Sequence, residues 1–166
     1  EAQPGVTDRG AWGAKAAIKK RMKRQTARSI VIHHTSVRQQ PKLSLETKLR
    51  GLHSYSQRKK GWGDSPYHYY IGVSGRLGKG RADSYAGDSN TRYNTMNRIQ
   101  VVLEGHFDRE QPNARQVAAL KRLVGWLSRK YGIPGSRITG HNDHAATDCP
   151  GRNLKRLLPA IRRSAG

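Results

Sequence analysis

"SIVIHHT", Ser29 to Thr35, decides how the rest of the chain is read. Three consecutive β-branched apolar residues, Ile30, Val31 and Ile32, make the short continuous run of a buried strand. Two histidines then close it. On the C-terminal side, "LSLETKLRGLHSYSQRKKG" carries Leu45, Leu49, Leu52 and Tyr55 at helical spacing, with Ser44 as N-cap and Gly61 as stop. "SPYHYYIGVSGRLGKGRAD" reads as two strands joined by a tight turn at Ser74-Gly75, and "RIQVVLEG" (98–105) as another strand. The strongest helix is "NARQVAALKRLVGWLSRKYG", with Val117, Leu120, Leu123, Val124 and Leu127 on one face. Asn113 caps its start, and Gly132 followed by Pro134 ends it. "SRITGH" predicts a short strand, and "NLKRLLPAIRR" a last helix bent or stopped by Pro159. Alternating strands and helices without internal repeats imply one α/β domain, a central mixed β-sheet flanked by α-helices. Residues 29–166 are expected to form that domain. Residues 1–28 are read as a basic N-terminal segment packed on it or leading into it, its run from Lys19 to Arg28 a solvated arm or loop.

At 166 residues there is room for one sizeable core and not for two. No apolar run approaches the roughly 20 residues of a membrane-spanning helix. The chain starts at Glu1 rather than Met, the pattern expected where a signal peptide or a tag has been removed. Lys and Arg number 32 against 11 Asp and Glu, a formal charge of +21, which draws a protein towards polyanions. Nucleic acid, anionic lipid and the anionic polymers of bacterial envelopes are the candidate partners. No groove-reading motif or stacking aromatic series is present, so nucleic-acid binding is expected to be incidental to charge. "NLKRLLPAIRR" is also a basic amphipathic end that could touch anionic lipid. A single cysteine, Cys149, excludes an intrachain disulfide.

Chemistry concentrates at the strand ends. His33 and His34 end one strand, and His141 ends another and leads into "TGHNDHAATDCPG" (139–151). Openings beyond strand ends are where α/β sheets build their sites. Two imidazoles and a thiolate make a zinc ligand set, with a fourth position left for water or substrate. A buried, inert cysteine is the competing reading. His33 and His34 point to opposite faces of a strand, and sequence physics alone does not choose between them.

"HHTSV", "SPYHYYIGVSGRL", "VVLEGHFD" and "TGHNDHAATDCPG" occur in the order seen in type 2 N-acetylmuramoyl-L-alanine amidases. "DRGAWGAK" resembles a segment common among the peptidoglycan recognition proteins of that family. The resemblance covers roughly residues 8 to 155. It implies a zinc-dependent hydrolase that cleaves the amide between N-acetylmuramic acid and L-alanine in peptidoglycan. Carried over by motif, the zinc ligands are His33, His141 and Cys149. Tyr67 and Thr147 are the implied catalytic residues, stabilising the oxyanion. Asn97 resembles an asparagine near the substrate groove. Some relatives carry a catalytic carboxylate where this chain has Val102, with Glu104 two residues on as the alternative; a surface or salt-bridged Glu104 is the plainer reading. Non-catalytic relatives typically lose the cysteine ligand, so a peptidoglycan-binding protein without catalysis is the second reading. The lack of cysteine pairs is more like bacterial or phage endolysin members. The resemblance therefore implies a monomer acting on the bacterial cell wall, secreted, periplasmic or released as a phage lysis enzyme.

Overall fold

The computed structural model describes residues 3–165. Its centre is a six-stranded mixed sheet. β1 is Val6–Thr7, β2 Ser29–His34, β3 Tyr69–Ile71, β4 Leu77–Lys79, β5 Arg98–Leu103 and β6 Ile138–Gly140. The strands lie in the order β1-β4-β3-β5-β2-β6. β3, β5, β2 and β6 run parallel, while β4 pairs antiparallel with β3 through the turn at Ser74-Gly75. β1 adds to the far edge beside β4. The expected α/β class and mixed sheet are what the chain forms.

Side-chain alternation along β5 sorts the two faces. Ile99, Val101 and Leu103 join Ile30 and Ile32 in the larger core. Against that face lie α3 (Ala114–Tyr131), α4 (Arg152–Lys155) and α5 (Leu158–Arg162). α3 starts with a reciprocal capping box between Asn113 and Gln116, and Gly132 in the left-handed conformation ends it. On the other face Val102 and Tyr70 pack against Leu45 and Leu49 of α2 (Leu45–Arg58) and against Trp12. Ser44 caps α2 as expected, accepting the Thr47 amide.

Three expectations change. Leu52 is half-buried at the edge of the smaller core, and Tyr55 is 53% exposed. Pro159 sits in the first turn of α5 rather than ending a helix, where a missing N–H costs nothing. Leu154, Leu158 and Ile161 have no exposed surface, so the C-terminal segment turns these apolar side chains into the core rather than towards a lipid.

Residues 3–28 are woven into this architecture. β1 lies in the sheet, α1 (Arg9–Trp12) sets Trp12 into the smaller core, and the Trp12 indole donates to the Lys79 carbonyl at 2.8 Å. Gly63 permits close approach here: a Cβ would meet the Ile18 carbonyl at 2.6 Å. Lys19, Lys20, Arg21, Lys23, Arg24 and Arg28 all remain exposed along this segment.

Glu104, at the end of β5, is 2% exposed and fully occupied. It pairs with Lys48 at 2.8 Å and accepts the amides of Gln40 at 2.6 Å and Val73 at 2.9 Å. It clamps α2 and two loops to the sheet, in agreement with the salt-bridged reading.

Two buried rings give the fold a pH dependence. Burial, reinforced by Lys79, pushes His68 down to about 3. Burial, reinforced by His106, pushes His34 down to about 4. The unfolded chain protonates these rings near pH 6.5, whereas the folded chain excludes the proton, so acid favours unfolding. Unfolding free energy in urea should hold above pH 7. Between about pH 6 and 5 it should fall by roughly 1.4 kcal/mol per pH unit per ring. A flat profile there would show that both rings protonate within the folded protein.

Candidate metal centre

One register builds the site. Ile32 of β2 lies opposite Gly140 of β6, so His33 and His141, the next residue on each strand, emerge side by side. His141 opens a 3-10 turn, His141–Asp143, that the Asp143 carboxylate fastens by accepting the Gly140 amide at 2.9 Å. The loop then returns: the Cys149 carbonyl accepts the Asn142 amide at 2.9 Å. Gly151 (φ +85°) lets it pass Phe107, whose carbonyl carbon a Cβ would meet at 2.6 Å. Donor atoms of His33, His141 and Cys149 thereby lie within 4.8 Å of one another. His33 Nδ1 is 3.6 Å from Cys149 Sγ.

His34 faces the other way. Its Nδ1 accepts the Phe107 amide at 3.1 Å, and its ring meets that of His106 edge-on at 5.6 Å. Of the two neighbouring histidines, His33 is the one in the cluster.

The cluster forms the floor of a cavity of about 410 Å³. Leu52, Tyr55 and Trp62 line one wall, and Asp88 to Thr91 another. Tyr67 also lines it, its ring 5.2 Å from that of His33. Thr147 stands on the ligand loop in the same cavity, and its hydroxyl oxygen accepts the Cys149 amide at 3.2 Å. The five residues singled out by motif are therefore together. Asn97 is not with them. It precedes β5 at the opposite end of the sheet, about 16 Å of strand from Val102 at about 3.3 Å per residue. There, in a left-handed conformation (φ 64°), its backbone carbonyl accepts the Arg28 amide. Its position before a strand resembled the motif, but the site lies beyond that strand's far end.

Three residues without a sequence signal border the cluster. Gln100 Oε1 is 2.5 Å from His33 Nε2 and accepts the Tyr93 hydroxyl at 2.9 Å. Thr91 Oγ1 is 2.6 Å from His141 Nε2. A polar residue amid the apolar run "RIQVVL" was the one available hint.

Electrostatically the donors suit a cation. Burial pushes the Cys149 thiol up to about 12 and holds His33 near 3, while His141 is also lowered by burial. At neutral pH both rings are thus uncharged with lone pairs free, and the thiol keeps its proton until a positive ion displaces it. With His33 Nε2 occupied by Gln100, Nδ1 is left facing the sulfur. The soft thiol and the two imidazoles are a donor set that would suit a zinc-like ion.

Comparison with known proteins places the chain in a family. The profile of the N-acetylmuramoyl-L-alanine amidases matches residues 23–152. The chain belongs to the N-acetylmuramoyl-L-alanine amidase family. Peptidoglycan-recognition protein SC2 of Drosophila simulans is 28% identical over 151 residues, covering 90% of this chain and 82% of that protein. The human N-acetylmuramoyl-L-alanine amidase is 26% identical over 162 residues, 93% of this chain but 28% of that longer protein. Drosophila peptidoglycan recognition protein SD shares the fold, with TM-score 0.82 at 24% identity and 94% of each chain covered.

Because the thiol starts protonated and the rings neutral, metal loading should release about one proton per ion at pH 7. Calorimetric titration with Zn²⁺ in buffers of different ionisation heat measures this. Release near zero would exclude Cys149 as a ligand. Release of two would mean that a histidine begins protonated.

Proposed function

We propose that the protein is a zinc-dependent peptidoglycan hydrolase that cleaves the amide between the lactyl group of N-acetylmuramic acid and L-alanine. The observation that carries the reading is the convergence of His33, His141 and Cys149 at the floor of an open groove. The relatives named for peptidoglycan recognition and for the amidase activity supply the substrate class. Binding without cleavage is the second reading, favoured by the recognition proteins among them.

His33, His141 and Cys149 would hold the ion, which when bound polarises a carbonyl and makes hydroxide available at neutral pH. The remaining work falls to the chain's own residues. Burial, with Cys149 and Tyr93 nearby, raises the Tyr67 hydroxyl well above its usual value, so it stays a donor at any working pH. The Thr147 oxygen accepts from the Cys149 amide, which frees its hydroxyl proton for donation into the cavity. These two donors would face the oxygen that gains negative charge as the amide carbonyl is attacked. The C–N bond then breaks and the alanine amine departs with a proton. Glu104 is committed to Lys48 and two amides, outside this role.

The deciding experiment digests purified peptidoglycan and follows release of muramoyl-alanine bonds alongside metal content. Wild type should carry about one zinc per chain, lose cleavage on chelation and regain it with zinc. Cys149→Ser should lose most of both, a hydroxyl being a far poorer ligand than a thiolate. Tyr67→Phe and Thr147→Ala should keep zinc and fold but lose roughly 10²–10³-fold in turnover. Peptidoglycan bound but never cleaved by the zinc-loaded wild type would establish the second reading.

The charge has a separate use. Lys19, Lys20, Arg21, Lys23, Arg24 and Arg28 are exposed, as are Arg58, Lys59 and Lys60, and teichoic acid or lipopolysaccharide phosphates are suited to meet them. Attachment to an envelope would draw on this field; among the described residues no helix is long and apolar enough to cross a membrane. In 1 M salt, where the Debye length is about 3 Å, binding to whole cells should largely vanish. Neutralising Lys19, Lys20, Lys23 and Arg24 should reduce cell binding and spare cleavage of a small muramoyl-peptide. Cell binding indifferent to both would assign the charge to another task.

A further inference from the structure

The outer nitrogens of both cluster histidines are held, and by residues outside the motifs. Gln100 sits on β5 two residues before Val102, the partner of His33, and so shares its face of the sheet. Its Oε1 lies 2.5 Å from His33 Nε2 and also accepts the Tyr93 hydroxyl at 2.9 Å. An amide oxygen only accepts, so His33 must carry its proton on Nε2 and leave the Nδ1 lone pair towards Cys149. The Gln100 Nε2 group is buried without a hydrogen-bond partner among the described residues. A side chain chosen for packing alone would not leave such a donor unsatisfied; this one delivers an oxygen to two hydrogens at once.

Thr91 does the same for His141 from an irregular loop. Its Oγ1 is 2.6 Å from His141 Nε2 and 2.9 Å from Ser89 Oγ, while its own amide donates to Ser89 Oγ at 3.1 Å. If Thr91 accepts from His141, its hydroxyl donates to Ser89 Oγ, which also accepts the Thr91 amide. Tyr93 backs the arrangement, its ring 5.1 Å from His141 and stacked at 15° on His144.

We infer that Gln100 and Thr91 are positioning residues that fix both histidines as Nε2–H tautomers, turning Nδ1 of each ring to the metal position. The inference rests on the zinc reading for the identity of the ion, but the tautomers belong to the protein without any ion. Ligand histidines oriented in this way bind metal about 10–100-fold more tightly than those that are not.

The test uses the full chain with ¹⁵N-labelled histidine. Ring-nitrogen shifts of the metal-free protein report the tautomers, and competition with a chromophoric chelator reports zinc affinity. His33 and His141 of the wild type should both appear as Nε2–H forms. Thr91→Val should mix the tautomers of His141 and weaken zinc about 10–100-fold, and Thr91→Ser should restore both. Gln100→Leu should act likewise on His33. Should that buried variant fail to fold, the two Thr91 variants on their half-buried loop decide. Unchanged tautomers in Thr91→Val would overturn the inference, even with weaker zinc, since packing would then be the cause. Tautomers that shift as stated in a protein that binds no zinc would uphold the positioning role and sink the zinc reading instead.

Discussion

The placement of β2 between β5 and β6 is the constraint from which the site follows. Parallel pairing on both sides fixes where three strands end relative to one another, with His33 beside Val102 on one flank and Ile32 beside Gly140 on the other. A slip of one residue in β2 would send His33 into the larger core and bring His34 to the groove. The apolar residues Ile30 and Ile32 forbid that slip, because it would carry them out of the core they share with Ile99, Val101 and Leu103. Core packing thus sets ligand geometry. Only the third donor, Cys149, sits far along a loop, and that loop is closed on itself by the Asn142 amide donating to the Cys149 carbonyl and by the Asp143 carboxylate accepting the Gly140 amide.

The same sheet explains why the groove is where it is. One face of β5 is wholly apolar, and the other presents Gln100, Val102 and Glu104 in sequence. α2 covers only part of that second face, through Leu45 and Leu49, and Glu104 ties the helix down with Lys48. Past Leu49, Leu52 packs only partly on the smaller core and, with Tyr55, lines the cavity. Polar residues in a buried strand are tolerated only with partners. Gln100 and Glu104 find theirs in the site and in the clamp that frames it.

Much of this was legible because it is periodic. β2, β5 and α3 carry continuous or amphipathic apolar patterns, and Ser44, Asn113 and Gly132 mark helix ends by their own chemistry. Strand ends and donor chemistry point to His33 or His34 with His141 and Cys149, but only the motifs choose His33 and single out Tyr67 and Thr147, since the spacing from His141 to Cys149 alone does not specify a metal site. The segment 81–97 was opaque for a different reason. It has almost no regular structure, and its order comes from Arg81, 1% exposed, which donates to the carbonyls of Asp64, Ser65 and Ala86 and pairs with Asp88. An arginine beside a glycine turn reads as surface in sequence. Buried, it anchors the loop that carries Thr91 and Tyr93 to the histidines. Asn97 misled for the complementary reason: a motif position says which residue, not which end of the strand.

The scarcity of acids carries one more consequence. Of the 11 carboxylates, Asp64 and Glu104 are almost fully buried, and Asp83, Asp108 and Glu110 accept hydrogen bonds that hold loops or helices. Asp64 alone takes Arg9 at 2.8 Å, His53 at 3.0 Å and the Ser65 amide at 2.8 Å. Negative charge is therefore largely committed to internal joints, and the +21 excess is a property of the surface rather than of the core. Such a field opposes compaction by self-repulsion. The interior ion pairs are placed where removing one partner would strand a buried charge, so they resist that pressure at the joints that matter. Charge on the outside and pairing on the inside are thus separable: the exposed lysines and arginines can vary the surface field without disturbing the clamps, the sheet register or the cluster that depends on it.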